Sequence, residues 1–162
     1  MVKKIVGTVA IGALGVGLYY GAAFSTPSSG QIPIGPELRG TFDELDVKHN
    51  GEPRVTVRTK EDVDIVTTQA TILAGGYTGW HSHPGPVFVT VTQGTLTIYN
   101  APKCRPQVYT AGEGYVEEAS VVHLVRNEGS VDAKFTATFI IPVAAARRID
   151  ESQPTGTNCP VL

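Results

Sequence analysis

Two of the chain's four histidines stand one residue apart in the stretch Gly79-Trp80-His81-Ser82-His83-Pro84-Gly85-Pro86. A third, His123, sits in the apolar run Val121-Val122-His123-Leu124-Val125. On a strand, residues i and i+2 project from one face, so His81 and His83 point the same way. A charged or unpaired imidazole is costly to bury, and His123 therefore needs a partner. Three neutral imidazoles converging from two strands make a first-row transition-metal site with positions left for water or substrate. The competing reading of each is a hydrogen-bonded core residue, and a His-x-His pair alone does not separate the two. His49 fits no pattern and reads as a surface residue.

The elements that must position these rings are strands. Alternation of apolar and polar residues, rich in Val, Ile and Thr, runs through Arg54–Lys60, Asp64–Leu73 and Val87–Thr92, as a pleated, half-buried surface requires. Further strands are expected at Thr95–Tyr99, Gln107–Thr110, Tyr115–Glu117, Val121–Arg126 and Ala133–Ile141. Turn residues separate them: Gly75-Gly76, Pro84-Gly85-Pro86, Gln93-Gly94, Ala111-Gly112-Glu113-Gly114 and Asn127-Glu128-Gly129. After Phe24 only Thr41–Val47 offers a weak helical period, and an N-terminal strand fits there equally well. The fold class is all-β, a sandwich or barrel of many short strands.

At 162 residues and a formal net charge of −2, the chain is long enough for one well-buried domain and too short for two ordinary ones. Mixed charges without a basic face speak against nucleic acid and for a small-molecule ligand or another protein; a homodimer is left open. Lys3 and Lys4 precede an uncharged, mostly apolar run from Ile5 to Phe24, and no further charge appears before Glu37. With the small residues Ala22-Ala23-Phe24-Ser25 this is the layout of a secretory signal. An uncleaved anchor is the alternative, since about 20 helical residues span the ~30 Å hydrocarbon core. Residues 1–25 are thus expected to be a signal or anchor, 26–37 a Pro/Gly/Ser-rich linker, and 38–162 the folded domain with its C-terminal tail. A buried structural helix is the third reading of the apolar run; signal and anchor both put the domain outside the cytoplasm, in an extracellular, periplasmic or cell-envelope location. There the two cysteines, Cys104 and Cys159, both in polar Pro-containing segments, are expected to pair; two free thiols are the alternative.

Around the histidines the chain resembles the cupin superfamily, small β-barrels built on a double-stranded β-helix. The first motif of that family asks for a Gly, His-x-His, a Glu and a Gly; the chain has Gly75, His81-Ser82-His83, then Val87 in the place of the Glu, and Gly94. The second asks for a Gly, Pro-x-Gly, His and Asn; here stand Gly112, Glu118-Ala119-Ser120, His123 and Asn127. The resemblance assigns metal-ligand roles to His81, His83 and His123, and turn or corner roles to Gly75, Gly94, Gly112 and Asn127. Val87, Glu118 and Ser120 depart from the pattern, and the first departure alters the chemistry.

One divalent transition metal (Fe, Mn, Zn, Cu or Ni) is the cofactor this implies. Without a carboxylate it would keep its full +2 charge and favour anionic or chelating ligands. Three-histidine cupins include oxygenases, so the resemblance implies metal-dependent dioxygenation of a small anionic or chelating substrate; the alternative is a non-catalytic metal or small-ligand binding module. The parity of the ligand-bearing strands would place Val87, Val89, Val91, Val121 and Val125 around the pocket, and the same parity on the last strand would add Phe135, Phe139 and Ile141. Plain barrel core is the competing reading for each. Tyr77, Tyr99, Tyr115 and Glu118 are the nearest candidates for acid–base work, and none has a spacing that gives it a role.

Overall fold

The computed structural model describes residues 25–155 and 158–162. The expected signal or anchor, Ser25 apart, lies outside the described residues. Among those described, no helix is long and apolar enough to cross a membrane. They form twelve strands and no helix: β1 (Ser29–Phe42), β2 (Asp46–His49), β3 (Val55–Arg58), β4 (Val63–Tyr77), β5 (His81–Ser82), β6 (Val87–Gln93), β7 (Thr95–Asn100), β8 (Pro106–Thr110), β9 (Gly114–Glu117), β10 (His123–Arg126), β11 (Ala133–Pro142) and β12 (Ile149–Asp150).

The β-branched alternation does what its period requires. Along β6, Val87, Val89 and Val91 turn inward while Phe88, Thr90 and Thr92 face out. Ten strands make one sheet that curls into a nearly closed barrel, in the order β12-β5-β10-β4-β11-β6-β9, with β1 against β4, β7 against β10, and β8 against β7. β2 and β3 form a separate hairpin. Val66, Ile72, Val89, Leu96, Phe139 and Ile141 are among the side chains that fill the barrel, and burying a residue of this size contributes about 1.5–3 kcal/mol. Gly85 in the Gly/Pro corner is obligatory, because a Cβ there would collide with the carbonyl of Ile140.

The segment 26–37, read from its composition as a linker, is instead largely strand. Prolines tolerate this position because β1 pairs on one side only, with β4, so a missing N–H leaves no outer ladder unsatisfied. The register slips between Ile34 and Leu38, and Gly35-Pro36-Glu37 arch out of the ladder opposite Thr68. Beyond the slip, the buried carboxylate of Asp64 holds β1 in place by accepting from Arg39 Nη1 (2.7 Å) and Thr41 Oγ1 (2.7 Å), and it also accepts from the Ala144 N–H (2.8 Å). Of the helix and strand readings of Thr41–Val47, the structure takes the strand, ending β1 at Phe42 and opening β2 at Asp46.

A second cluster lies on the opposite side of the β5–β10 wall, where Trp80, Tyr99 and Leu124 pack with Cys104 and Cys159. The two cysteines form a disulfide across 55 residues, a bond in keeping with an oxidising compartment. It straps the tail over Trp80, whose Nε1 donates to Gln153 Oε1 (3.0 Å) and whose carbonyl accepts from the Glu151 N–H (3.0 Å). Closing a loop of this size stabilises the fold by about 4 kcal/mol in the chain-entropy model. Replacing both cysteines by serine should lower the stability by up to about that amount, read as a fall in the urea midpoint, with the reduced wild type following the variant.

Candidate metal centre

β5 is only two residues long, yet it sets the geometry, because His81 and His123 are direct cross-strand partners. His83 follows just beyond the strand and stays on the same face. The three rings lie with centroids 4.3, 4.9 and 5.1 Å apart and are all buried. One nitrogen from each falls within 4.8 Å of the others. The sequence brings His81, His83 and His123 together as the resemblance implies.

Each ring is held from behind by a backbone carbonyl. His81 Nδ1 meets the Gly79 oxygen at 2.9 Å, His123 Nδ1 the Val121 oxygen at 2.9 Å, and His83 Nδ1 the Arg147 oxygen. A carbonyl can only accept, so each Nδ1 carries its hydrogen, and in the neutral ring Nε2 is left as a bare lone pair. The turn that delivers the first carbonyl depends on Gly79, which has φ +73° and no room for a side chain beside the Thr26 carbonyl.

Facing these lone pairs is a carboxylate that sequence reasoning missed. Glu117 on β9 is buried, with Oε2 3.1 Å from His83 Nε2 and Oε1 3.4 Å from His123 Nε2. It is the cross-strand partner of Val87, so the family's carboxylate position is empty on β6 while the neighbouring strand supplies one beside it. The signal was Tyr115-Val116-Glu117, an alternation that turns Glu117 inward with Tyr115; the β6–β9 register that gives it meaning is not written in either strand alone. Two acceptors this close repel unless a proton or a cation lies between them. His123 Nε2 is indeed buried without a hydrogen-bond partner. Donor atoms about 2.1 Å from a common transition-metal ion stand about 3.0 Å apart in an octahedron and about 3.4 Å in a tetrahedron, so both spacings fit donors around one ion. His81, His83, His123 and Glu117 could therefore hold a metal.

The charges follow the same arrangement. Burial pulls His81 well below the ordinary imidazole range, helped by the neighbouring His123 and Arg148. For His123 the downward pull of burial is outweighed by the Glu117 carboxylate, and the net direction is up. For Glu117 the upward push of burial is outweighed by His123 and His83, which hold it well below the usual carboxylate range.

A cavity of about 360 Å3 opens from this cluster, within the size range of small-molecule sites. His81, His83 and Glu117 form part of its wall, Val89, Val125, Phe135 and Phe139 give apolar surface, and Arg147 and Arg148 also border it. Four expected pocket residues lie elsewhere, Ile141 among them, packed in the core near the end of β11. Val87 is fully buried between Glu117 and Phe139, inward neighbours on the two flanking strands that are larger than it and border the cavity in its place. Val91 is packed in the core four positions further along β6. Val121 precedes β10 in a turn closed by its own N–H to the Glu118 carbonyl (3.3 Å), so strand parity does not reach it. Tyr77, Tyr99 and Glu118 are not among the residues around the cavity, whereas Tyr115 is.

The motif positions around the site are structural. Asn127 donates from Nδ2 to the Ile72 and Val131 carbonyls (2.8 Å each) and accepts from the Gly129 N–H (3.0 Å), closing the turn after β10. Ser120, where the family pattern has glycine, keeps the left-handed backbone at φ +60° and donates its N–H to the His83 carbonyl (2.8 Å).

The family model of the cupin domain matches residues 68–140, which carry all three histidines and Glu117. The match covers 73 of the 162 residues and identifies that stretch as a cupin domain. No curated protein matches the chain. Among solved structures it is similar to an oxalate oxidase, with 23% identity and a TM-score of 0.44 over 49% of this chain and 46% of that one. It is also similar to Peruvianin-I, a cysteine peptidase from Thevetia peruviana latex, with 17% identity and a TM-score of 0.47 over 54% of this chain and 56% of that one. The Bacillus subtilis oxalate decarboxylase, studied for its Mn(II) centres, gives 19% identity and a TM-score of 0.48 over 53% of this chain and 23% of that one. The chain thus spans about half or less of the length of the oxalate enzymes. These likenesses concern the fold alone.

The pairing of Glu117 with His123 can be read without metal. In EDTA-treated protein the His123 ring should titrate above the ordinary value near 6.5 and drop in Glu117→Gln, where the Val121 carbonyl is left to offset burial. Because a raised histidine stabilises the fold at low pH and loses that contribution as pH rises through its native value, the stability lost on Glu117→Gln should be larger at pH 5 than at pH 8. NMR titration of the imidazoles and melting at the two pH values check both statements.

Proposed function

We propose that this chain is an exported cupin that holds one divalent transition metal at His81, His83 and His123, with Glu117 as a fourth donor. Its activity is metal-dependent oxidation of the dioxygenase type on a small anionic or chelating molecule. The observation that carries this reading is the donor set itself: three imidazoles and a carboxylate converge in a buried volume, and His123 Nε2 has no hydrogen-bond partner there. Export is supported by the Cys104–Cys159 bridge.

A bound cation would supply Lewis acidity and, for a redox-active metal, electron transfer. The rest falls to the chain. Glu117 leaves a doubly charged ion with a net charge of +1 and fewer open positions than three histidines alone. Its carboxylate is also the group nearest the histidines able to take a proton from an enol or thiol as such a ligand binds. Phe139 and Val125 exclude water and favour a flat, apolar body, while Arg147 and Arg148 attract negative charge. A non-catalytic binding module is the second reading. It is favoured by Glu117 being already engaged by two histidines, and by burial raising Tyr115 well above the usual phenol range, out of acid–base work.

Natively purified protein should contain close to one metal ion per chain, and a His81→Ala/His123→Ala double variant should contain almost none. The pH dependence has a definite sign. With metal bound the imidazoles must be neutral, so acidification costs binding, first at the raised His123 and only at lower pH at the depressed His81. Without metal the depressed His81 loses stability on acidification while the raised His123 gains it. The difference in melting temperature between metal-loaded and EDTA-treated protein should therefore be large at pH 8 and close to zero near pH 5. Equal melting with and without EDTA on metal-containing protein would refute the metal site. Oxygen consumption with β-diketones, flavonols and small thiols separates the two readings: turnover supports the oxygenase, and binding without uptake supports the module.

A further inference from the structure

Arg147 has a place in the site that the metal does not explain. Its side chain borders the cavity and its guanidinium carbon stands 5.6 Å from the centroid of the Phe139 ring, which in turn lies edge-on to His83 at 5.2 Å. Phe139 thus forms a continuous wall from the histidines to the guanidinium. Among the described residues, the one side-chain hydrogen bond of Arg147 runs from Nε to Glu37 Oε2 at 2.9 Å. Both Nη groups, four N–H in a plane, are left unspent. Arg148, its neighbour, is different: Nε is taken by Asp150 (2.6 Å) and Nη2 by the Thr78 carbonyl (2.8 Å).

The free fork is held in position by a chain of ion pairs that ends in the fold's interior. Glu37 sits on the arch Gly35-Pro36-Glu37, where the β1 register slips. Its Oε1 accepts from Arg39 Nη2 (3.1 Å) and Nε (3.3 Å), and Arg39 Nη1 is fixed by Asp64 (2.7 Å), which is only 2% exposed. A surface arginine paired with a mobile glutamate would contribute little. An arginine with its Nε pinned, its plane over an aromatic ring and its outer N–H groups unused is preorganised for bidentate capture of a carboxylate.

We infer that Arg147 is the receptor for a carboxylate on the ligand, and that Glu37 is the residue that positions it. The ligand class is then a small flat acid with a metal-chelating group at one end and a carboxylate at the other, the body lying along Phe139. This rests on the metal reading for the chelating end, while the carboxylate end depends on Arg147 alone.

Catechol and 3,4-dihydroxybenzoate share the chelating end and differ by one carboxylate, so calorimetric titration of metal-loaded protein with each separates the two claims. Wild type should prefer 3,4-dihydroxybenzoate by about tenfold or more, the size expected for a charge-assisted bidentate contact. Arg147→Gln should abolish that preference while keeping the metal content; Arg147→Lys, which keeps charge but loses the fork, should fall between, as should Glu37→Gln. Equal affinities in the wild type, absence of binding by both, or a preference that survives in Arg147→Gln, overturns the receptor, and an unchanged preference in Glu37→Gln overturns the role of Glu37. Loss of catechol binding with the histidine double variant, but not with Arg147→Gln, keeps a failure at the arginine distinct from a failure at the metal.

Discussion

A backbone carbonyl has no hydrogen to give, and the inner end of this barrel is organised around that asymmetry. Three carbonyls take the Nδ1 hydrogens of three histidines and so turn three lone pairs toward one point. Two of these carbonyls lie two residues before the ring they hold, at Gly79 and Val121, so local turns supply them. The third comes from Arg147, beyond β11, and requires the whole barrel to have formed. Gly79 and the left-handed Ser120 are best understood in this light, since each shapes a turn next to the histidines.

The carboxylate beside them shows how a sheet can conserve a site while moving one of its parts. Val87 and Glu117 are paired across β6 and β9, and both face inward. The exchange of strands leaves the charge beside the rings but changes what carries it: a corner residue following Pro84-Gly85-Pro86 gives way to the last residue of a short strand. A buried carboxylate in such a place is expensive without cationic partners, and His83 and His123 stand within reach of it. On the cavity's outer side the same logic repeats with arginines, as Asp64, Arg39, Glu37 and Arg147 alternate in sign from the interior to the opening.

What was legible in the sequence was the part governed by local period. The Val/Thr alternation gave the strands, and His-x-His together with the apolar run around His123 gave the histidine cluster. Two cysteines in polar segments gave the bridge. What was not legible depended on register between distant strands or on edges. Glu117 acquires its meaning only from pairing with Val87; Val91 and Val121 needed the length and start of their strands; and β1 was hidden because its prolines and glycines look like a linker until one edge of the strand is known to be free. Arg147 and Glu37, over a hundred residues apart, meet only once β1 and the segment after β11 come together beside the cavity.

The position of the third carbonyl also sets an order of events. A ribosome makes residues 75–127, with all three histidines and Glu117, before it makes Arg147, and the tail that pairs with β5 and closes over Trp80 comes later still. Until those final residues settle, His83 has no fixed tautomer and β5 no outer partner. The donor set is therefore completed last, by a carbonyl and a strand that lie far along the chain from the histidines they fix, and its geometry waits on the closing of the whole barrel.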